Sequence, residues 1–425
     1  MKASYLAALA ALLVAPGLVQ ADEAGDRLPD LLYSGGAVAE RQYYSDRCDQ
    51  LRAEACFGLG LIETISSYES LAQALYRHGA IAPSTPAAAF LLGMESDTSP
   101  NRPANPDPEP LTYEGLRTIL EEFVAGLDRA RSAFDVAAVG GEYVLTIDPL
   151  RVRIDLDGDG LLGESETLAA LLRDLDAFDA PVPSGKTKTK GEAALPDTTV
   201  GFDRADAIWF AGYSQVTAIP FDFLLAHDFS QFFEAAMHRI FPEADLPMQD
   251  HARGSGTLMM DRDSDAFIAD MVAAIHTADF PVTDSERLAG VLGRMKAVTE
   301  LSRQNWAAIQ LETDDNRELV PSPGQTSIVP DHAVTQEVVD AWMETLDTVD
   351  LILDGELLIP HWRFEQGFSL KAYFETATET DLVMLFTGQG ALPFLRDGAV
   401  ADEDSFAAGN AVFGDNWPNF IVWFN

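Results

Sequence analysis

Basic residues are few in this sequence. Lysine and arginine together number 28 in 425 residues, against 68 aspartates and glutamates, for a formal net charge of −40 at pH 7. Such a surface repels phosphates, so the composition argues against nucleic acid or an anionic membrane as a partner. The acid excess would suit a salt-tolerant bacterium, and solubility alone would explain it equally well. Apolar residues make up 47% of the chain, enough to fill a sizeable core, so we expect a folded globular protein.

Long apolar runs are also scarce. The one clear run, "LAALAALLVAPGL", follows Lys2 and precedes "VQA", which is small at the two positions that a signal peptidase inspects. This pattern predicts a Sec-type signal peptide over residues 1–21, cut near Ala21, and hence a periplasmic or secreted protein. The run is shorter than the roughly 20 residues of a spanning helix, and no second one exists, so no membrane span is predicted.

Only two cysteines occur, Cys48 and Cys56. If both lay on one helix, their spacing would hold them about 12 Å apart, too far for a disulfide. A disulfide needs a turn within "CDQLRAEAC", and export would allow it to persist. The sequence alone does not decide whether the two cysteines form a disulfide or remain two buried thiols.

Familiar catalytic motifs are missing. No GxSxG occurs, and "GKT" at 185–187 is not a P-loop because Ala180 stands where that motif needs glycine. No fixed-period repeat of the solenoid type is found either. Whether the protein is an enzyme stays uncertain at this level, and the absences lean toward a protein that is not one.

Helical periodicity dominates what is present. Apolar residues recur at helical spacing over 57–77, 111–138, 284–311 and 335–353, which predicts a mainly α fold, a helical array or bundle. The apolar stretch 202–241 fits one helix kinked at Pro220 or two helices. The last seventy residues are mixed, and the runs "DLVMLF" and "FIVWFN" fit short strands.

One segment has the composition of a linker. Residues 181–196 are rich in proline, glycine and lysine, and they follow an N-terminal helical unit over 22–180. A larger, mainly helical unit follows over 197–425. One domain with a long loop and two domains both fit this pattern.

A metal site is indicated at 155–166, which reads "DLDGDGLLGESE". The stretch resembles the twelve-residue calcium loop of EF-hand proteins, with aspartates at positions 1, 3 and 5, glycine at 6 and glutamate at 12. The resemblance implies Ca²⁺ as the bound ion, held by oxygens of Asp155, Asp157, Asp159, Leu161 and Glu166. Leu161 would offer its backbone carbonyl, and Gly160 would permit the sharp bend.

The surroundings of this loop depart from the family. Downstream, "ESETLAALLRDLDAF" predicts the exiting helix, but upstream "GGEYVLTIDPLRVRI" is β-branched and predicts a strand or hairpin instead of an entering helix. No second loop matches, since "DRDSDAFIADMV" at 261–272 lacks the glycine and the closing glutamate. The region 143–178 therefore resembles a single extracellular calcium module with a structural ion. On these grounds the chain is interpreted as an exported calcium-binding protein with a binding or interaction role.

A second set of residues supports an alternative. His227, Gln231, Glu234 and His238 would share one face of a continuous helix, as in a metal-assisted hydrolase. His227 and His238 would then lie about 16 Å apart along the helix, so another segment would have to intervene. A helix restart at Asp228 would spoil the alignment, and a polar helix face or hydrogen-bonded core histidines explain the residues more simply.

Overall fold

The computed structural model describes residues 23–81, 105–174, 198–251, 256–326, 334–414 and 417–424. Helices dominate this part of the chain, which confirms the mainly α prediction. The helices are α1 Glu23–Ser34, α2 Arg41–Cys48, α3 Ala53–Arg77, α4 Tyr113–Val139, α5 Leu168–Asp174, α6 Arg204–Leu225, α7 Ser230–Ala236, α8 Pro247–His251, α9 Arg262–His276, α10 Ser285–Ile309, α11 Gln336–Leu353, α12 Leu370–Thr376, α13 Leu382–Thr387, α14 Ala407–Phe413 and α15 Trp417–Phe424. The strands are β1 Leu145–Ile147, β2 Val200–Phe202, β3 Asp279–Pro281, β4 Leu357–Leu358, β5 Gly367–Phe368, β6 Glu379–Asp381, β7 Leu395–Arg396 and β8 Ala399–Val400.

Four long helices form the centre of the molecule, with α4 packed between α3 and α6, and α10 packed on α6. The predicted apolar stripe of α4 is buried along its length, from Leu116 to Phe134. The Thr112 hydroxyl caps the helix by accepting from the Gly115 backbone N–H at 3.0 Å. At the end of α3, Gly79 takes φ +69°, the left-handed conformation that commonly stops a helix.

The strands are short and pair two by two. β1 and β2 are antiparallel, with Leu145 opposite Phe202 and Ile147 opposite Val200. β3 pairs with β6 and β5 with β7 in the same sense, whereas β4 and β8 are parallel. β1 lies upstream of the loop at 155–166, with one 3-10 turn, Pro149–Arg151, between them, so a strand precedes the loop as predicted and no α-helix enters it.

The strand prediction for the C-terminal runs was wrong. "DLVMLF" forms α13, whose start is capped by the Asp381 carboxylate accepting from the Met384 N–H at 2.8 Å, and the residues of α15 are helical as well. Phe424 is fully buried, and its ring centroid lies 4.8 Å from that of Trp306. Both runs are short and apolar, and a short apolar run cannot be told from a strand by its pattern alone.

The apolar stretch 202–241 forms two helices. Pro220 lies inside α6, and the break comes later, between Leu225 and Ser230. The Asp228 carboxylate accepts from the Ser230 N–H at 2.9 Å, so Asp228 stands at the helix restart.

One apolar core takes residues from both sides of the proposed linker. It joins side chains between Ala24 and Val152 with side chains between Val200 and Ala211, and with Leu301. The signal peptide at 1–21 and the linker at 181–196 lie outside the described residues. Within the described ranges, every helix is too short or too polar to cross a bilayer.

Candidate functional site

The calcium loop, residues 155–166, brings its three aspartates together. Asp155, Asp157 and Asp159 each offer a carboxylate oxygen, and these atoms lie within 4.8 Å of one another. Gly158 and Gly160 take φ values of +77° and +72°, which fold the chain tightly between the carboxylates. Aspartate oxygens at this spacing are hard ligands of the type that Ca²⁺ prefers.

Backbone N–H groups hold the aspartates inward. One oxygen of Asp155 accepts from Gly158 N–H at 2.7 Å, one of Asp157 from Asp159 N–H at 3.1 Å, and one of Asp159 from Leu161 N–H at 2.6 Å. These bonds leave the second oxygen of each carboxylate for an ion. The three charges are therefore fixed in place by the loop itself.

Glu166 closes the loop but lies outside the aspartate group. It is buried, and its two oxygens accept from the Leu156 N–H at 3.1 Å and the Gly163 N–H at 3.0 Å. The carboxylate thus bridges the two ends of the loop. Leu161, the fifth predicted ligand, lies in the same loop with its side chain 76% exposed.

The calcium loop is docked on α1 and α3. The Gln73 amide donates to the Asp155 carbonyl at 2.9 Å, and Glu69 accepts from the Asp155 N–H at 3.0 Å. Leu162 packs directly over Gly35, which follows α1; an added Cβ at Gly35 would lie 1.7 Å from Leu162 Cδ1. Leu162, the apolar residue of the loop, therefore packs on the body of the protein. In paired EF-hands the corresponding residue packs on a neighbouring loop.

Burial raises the pKa of Glu69, and the negative charges of Asp155 and Glu166 raise it further. A cation in the calcium loop would relieve this repulsion.

The residues of the hydrolase alternative are separated by the helix break. His227 is buried, and its ring nitrogens lie 2.6 Å from the Phe223 carbonyl and 2.7 Å from the Thr380 hydroxyl. Glu234 is exposed, and His238 lies 3.2 Å from Asp270. In the ranges that the structure describes, His227, Glu234 and His238 do not form a group able to share an ion. Burial lowers the pKa of His227, as for a neutral core histidine.

A second group of acids was not found from the sequence. The acid cluster consists of Asp203, Asp206, Glu312 and Glu318, and one oxygen each of Asp203, Glu312 and Glu318 lie within 4.8 Å of one another. Asp203 caps α6 by accepting from Ala205 N–H at 2.7 Å, and its own N–H donates to Asp206 at 2.8 Å. A cavity of about 300 Å³ opens beside Asp203 and Glu312.

The acid cluster holds protons near neutral pH. Burial is the main cause that raises the pKa of Glu312 to about 8, of Glu318 to about 7 and of Asp203 to about 6. Mutual repulsion adds to this effect, and burial likewise raises the pKa of Asp206. Charge density in "ETDDNRE" at 312–318 is the only local signal, since its partner Asp203 comes from another element.

The two acidic groups therefore differ in character. The aspartates of the calcium loop are partly exposed and held by backbone N–H groups, whereas the acid cluster is more buried and burial raises the pKa values of its carboxyl groups. Comparisons with protein-family models, curated proteins and solved structures found no match for this chain.

Proposed function

We propose that this chain is an exported calcium-binding protein in which the ion is structural. The observation that carries the proposal is the convergence of three aspartates in a loop with two left-handed glycines. The signal-peptide pattern at 1–21 supports export, where millimolar calcium matches the weak affinity of a single loop, about 10⁻⁴ to 10⁻³ M. The ion would fix the calcium loop to α1 and α3.

The expected stabilisation is modest. Without an ion, three carboxylates within 4.8 Å repel one another in the folded loop. An ion that binds only the folded state at tenfold its dissociation constant adds about 1.4 kcal/mol to the free energy of unfolding. A calcium ion bound in this way would stabilise the contact between the calcium loop and the N-terminal helices α1 and α3.

We further propose that the protein has a binding or interaction role and is not a hydrolase. Both ring nitrogens of His227 already have partners, which supports a structural histidine. Metal analysis of the purified protein distinguishes the two: calcium alone supports the proposal. Stoichiometric zinc that is lost in the double variant His227→Ala, His238→Ala would support the metal-assisted hydrolase.

Thermal unfolding tests calcium binding directly. We expect the Tm of the mature protein to rise with millimolar calcium and to fall again with chelator. The double variant Asp157→Asn, Asp159→Asn removes two charges, yet each asparagine can still accept the backbone bond of its turn. This variant should fold and lose the calcium response.

Matched controls separate binding from charge screening. The variant Asp263→Asn, Glu337→Gln removes the same charge from two exposed helix positions and should keep the full response. Magnesium at equal concentration should act less strongly, because it demands a tighter octahedral site. An unchanged Tm in the wild type, or an equal response in the loop variant, contradicts the proposal.

A further inference from the structure

A groove between α4, α6 and α10 is unusual in this acidic protein because arginines line it. The arginine groove has a volume of about 530 Å³, within the range of small-molecule sites. Its lining residues are Val124, Asp128, Arg131, Gln215, Asp222, Arg287, Gly290, Gly293 and Arg294. Three of the chain's 28 basic residues thus meet at one place.

The carboxylates of the arginine groove are already used. Asp128 accepts from Arg294 through both oxygens, at 2.6 and 2.8 Å. Asp222 accepts from Arg287 at 2.8 Å through one oxygen and from Arg294 at 2.6 Å through the other. Charge-assisted pairs of this geometry are strong, so these two acids position the arginines.

The groups left over are donors. Gln215 is fully buried, and its side-chain carbonyl accepts from Arg294 at 2.9 Å, which fixes the orientation of the amide. Its NH₂ group then has no hydrogen-bond partner among the described residues. The Nε of Arg131 makes no hydrogen bond within these residues either, but it lies 3.5 Å from the Asp135 carboxylate in an ion pair. An unsatisfied buried donor is costly, so such groups call for an acceptor.

The floor of the groove is open. Gly290 and Gly293 lie in the interior of α10, where glycine is unfavourable, and a Cβ at either would meet nothing within 4 Å. Close packing therefore does not require glycine at these positions. The missing side chains leave room over the arginines.

We propose that the arginine groove binds a small organic carboxylate, held by the Gln215 amide and the Arg131 guanidinium. A planar carboxylate supplies the acceptor that the Gln215 amide lacks, and it matches the geometry of the Arg131 guanidinium, which it would share with Asp135. Arg294 remains paired with Asp128 and Asp222, and Arg287 with Asp222 and Glu121, while the carboxylate binds. None of its lining residues belongs to the calcium loop, so the proposal does not depend on calcium binding there.

Binding is tested with the mature protein saturated with calcium, so that the calcium loop stays in one state. The probes are sodium acetate, propionate and succinate, with sodium phosphate as a competing anion, sodium chloride at equal ionic strength and acetamide as a neutral control. Ligand-detected NMR and calorimetry should show saturable binding of at least one carboxylate and none of acetamide. No saturable carboxylate binding, or binding of inorganic phosphate in preference to every carboxylate, overturns the proposal.

Two variants locate the site. Gln215→Glu keeps an acceptor for Arg294 but replaces the unpaired donor with an acceptor, and we expect at least a tenfold loss of affinity. Gly293→Leu fills the groove with a better helix former, so the protein should fold and lose binding. Gln310→Glu, an exposed position on the same chain segment, is the matched control and should bind as the wild type does. Equal affinity in all three variants would place the carboxylate elsewhere and refute the site.

Discussion

Single residues decide the character of both acidic groups. The resemblance of 155–166 to an EF-hand loop predicted five ligands within twelve positions, and three of them, Asp155, Asp157 and Asp159, lie together because turn chemistry is local. It did not predict that Glu166 would bond two backbone N–H groups, since this depends on how the loop closes. The acid cluster was missed because Asp203 and Glu312 meet only through the packing of α6 on α10.

The acid cluster predicts a pH dependence of stability. Glu312 and Glu318 have pKa values raised by burial to about 8 and about 7, whereas unfolded glutamates ionise near about 4.3. The folded state therefore holds more protons than the unfolded chain in this window. Its stabilising contribution is complete below the unfolded pKa and is lost as pH rises through the folded values. We expect the Tm to fall between about pH 5 and 8 and to level off above about pH 8.

The measurement is thermal unfolding in chelator at several pH values in that window. Glu312→Gln with Glu318→Gln removes the two titrating groups, so the fall should be much smaller. Glu337→Gln with Glu344→Gln changes two exposed glutamates and should retain the wild-type slope. Equal slopes in all three proteins would show that the acid cluster does not control the pH dependence.

At the scale of elements, amphipathic periodicity was a good guide. The stripes that predicted α4, α10 and α11 are mostly buried in the structure, because a long helix must hide one face. The stripe that predicted α3 is only partly buried, with Tyr68 41% exposed, and residues such as Phe57 and Ile62 form the buried face of that helix instead. The same argument failed for α13 and α15, where short apolar runs lack a polar face to set their period. Their helical form depends on caps and on tertiary packing, which a local pattern does not contain.

The turn between α2 and α3 answers the question left open for the cysteines. Cys48 ends α2, Leu51 takes φ +58° in the turn, and the Cα atoms of Cys48 and Cys56 lie 4.6 Å apart in a disulfide. The chain thus makes the bend that a single helix would have prevented. The disulfide joins the ends of a short loop at the edge of the main core.

Removing this disulfide should destabilise the protein. Closing a loop of this length lowers the conformational entropy of the unfolded chain. This loss raises the free energy of unfolding by roughly 2–3 kcal/mol. We expect Cys48→Ala with Cys56→Ala to lose about that amount in denaturant titrations. Thiol titration of the unfolded wild type should find no free thiol before reduction. Free thiols there, or a double variant as stable as the oxidised protein, would contradict the pairing.

For the whole molecule, composition and periodicity predicted a folded, acidic, mainly helical protein, and the linker predicted at 181–196 lies outside the described residues. Neither composition nor periodicity could show that β1 would pair with β2 across that linker, or that one apolar core would take residues from both sides. Those contacts are set by residues distant in sequence. Net charge is the property of the whole chain that composition describes best, because it is the sum of the residue charges and does not depend on how the chain folds.

Net charge therefore gives a prediction for the molecule as a whole. The chain has 68 acidic against 28 basic residues, so most carboxylates are repelled by other carboxylates. Folding increases this repulsion because it brings the charges closer together. Salt shortens the screening length from about 30 Å at 0.01 M to about 10 Å at 0.1 M. In chelator at neutral pH, we expect the free energy of unfolding to rise steadily as sodium chloride is raised over this range.

Screening should act on the calcium-loop variant as strongly as on the wild type, because it depends on total charge. The variant Asp157→Asn, Asp159→Asn removes only two of the 68 acids, so its salt response should match that of the wild type while its calcium response is lost. Parallel denaturant titrations in salt and in calcium measure both. A flat salt response would show that the paired arginines already offset the repulsion. A salt response confined to the wild type would instead assign it to ion binding in the calcium loop.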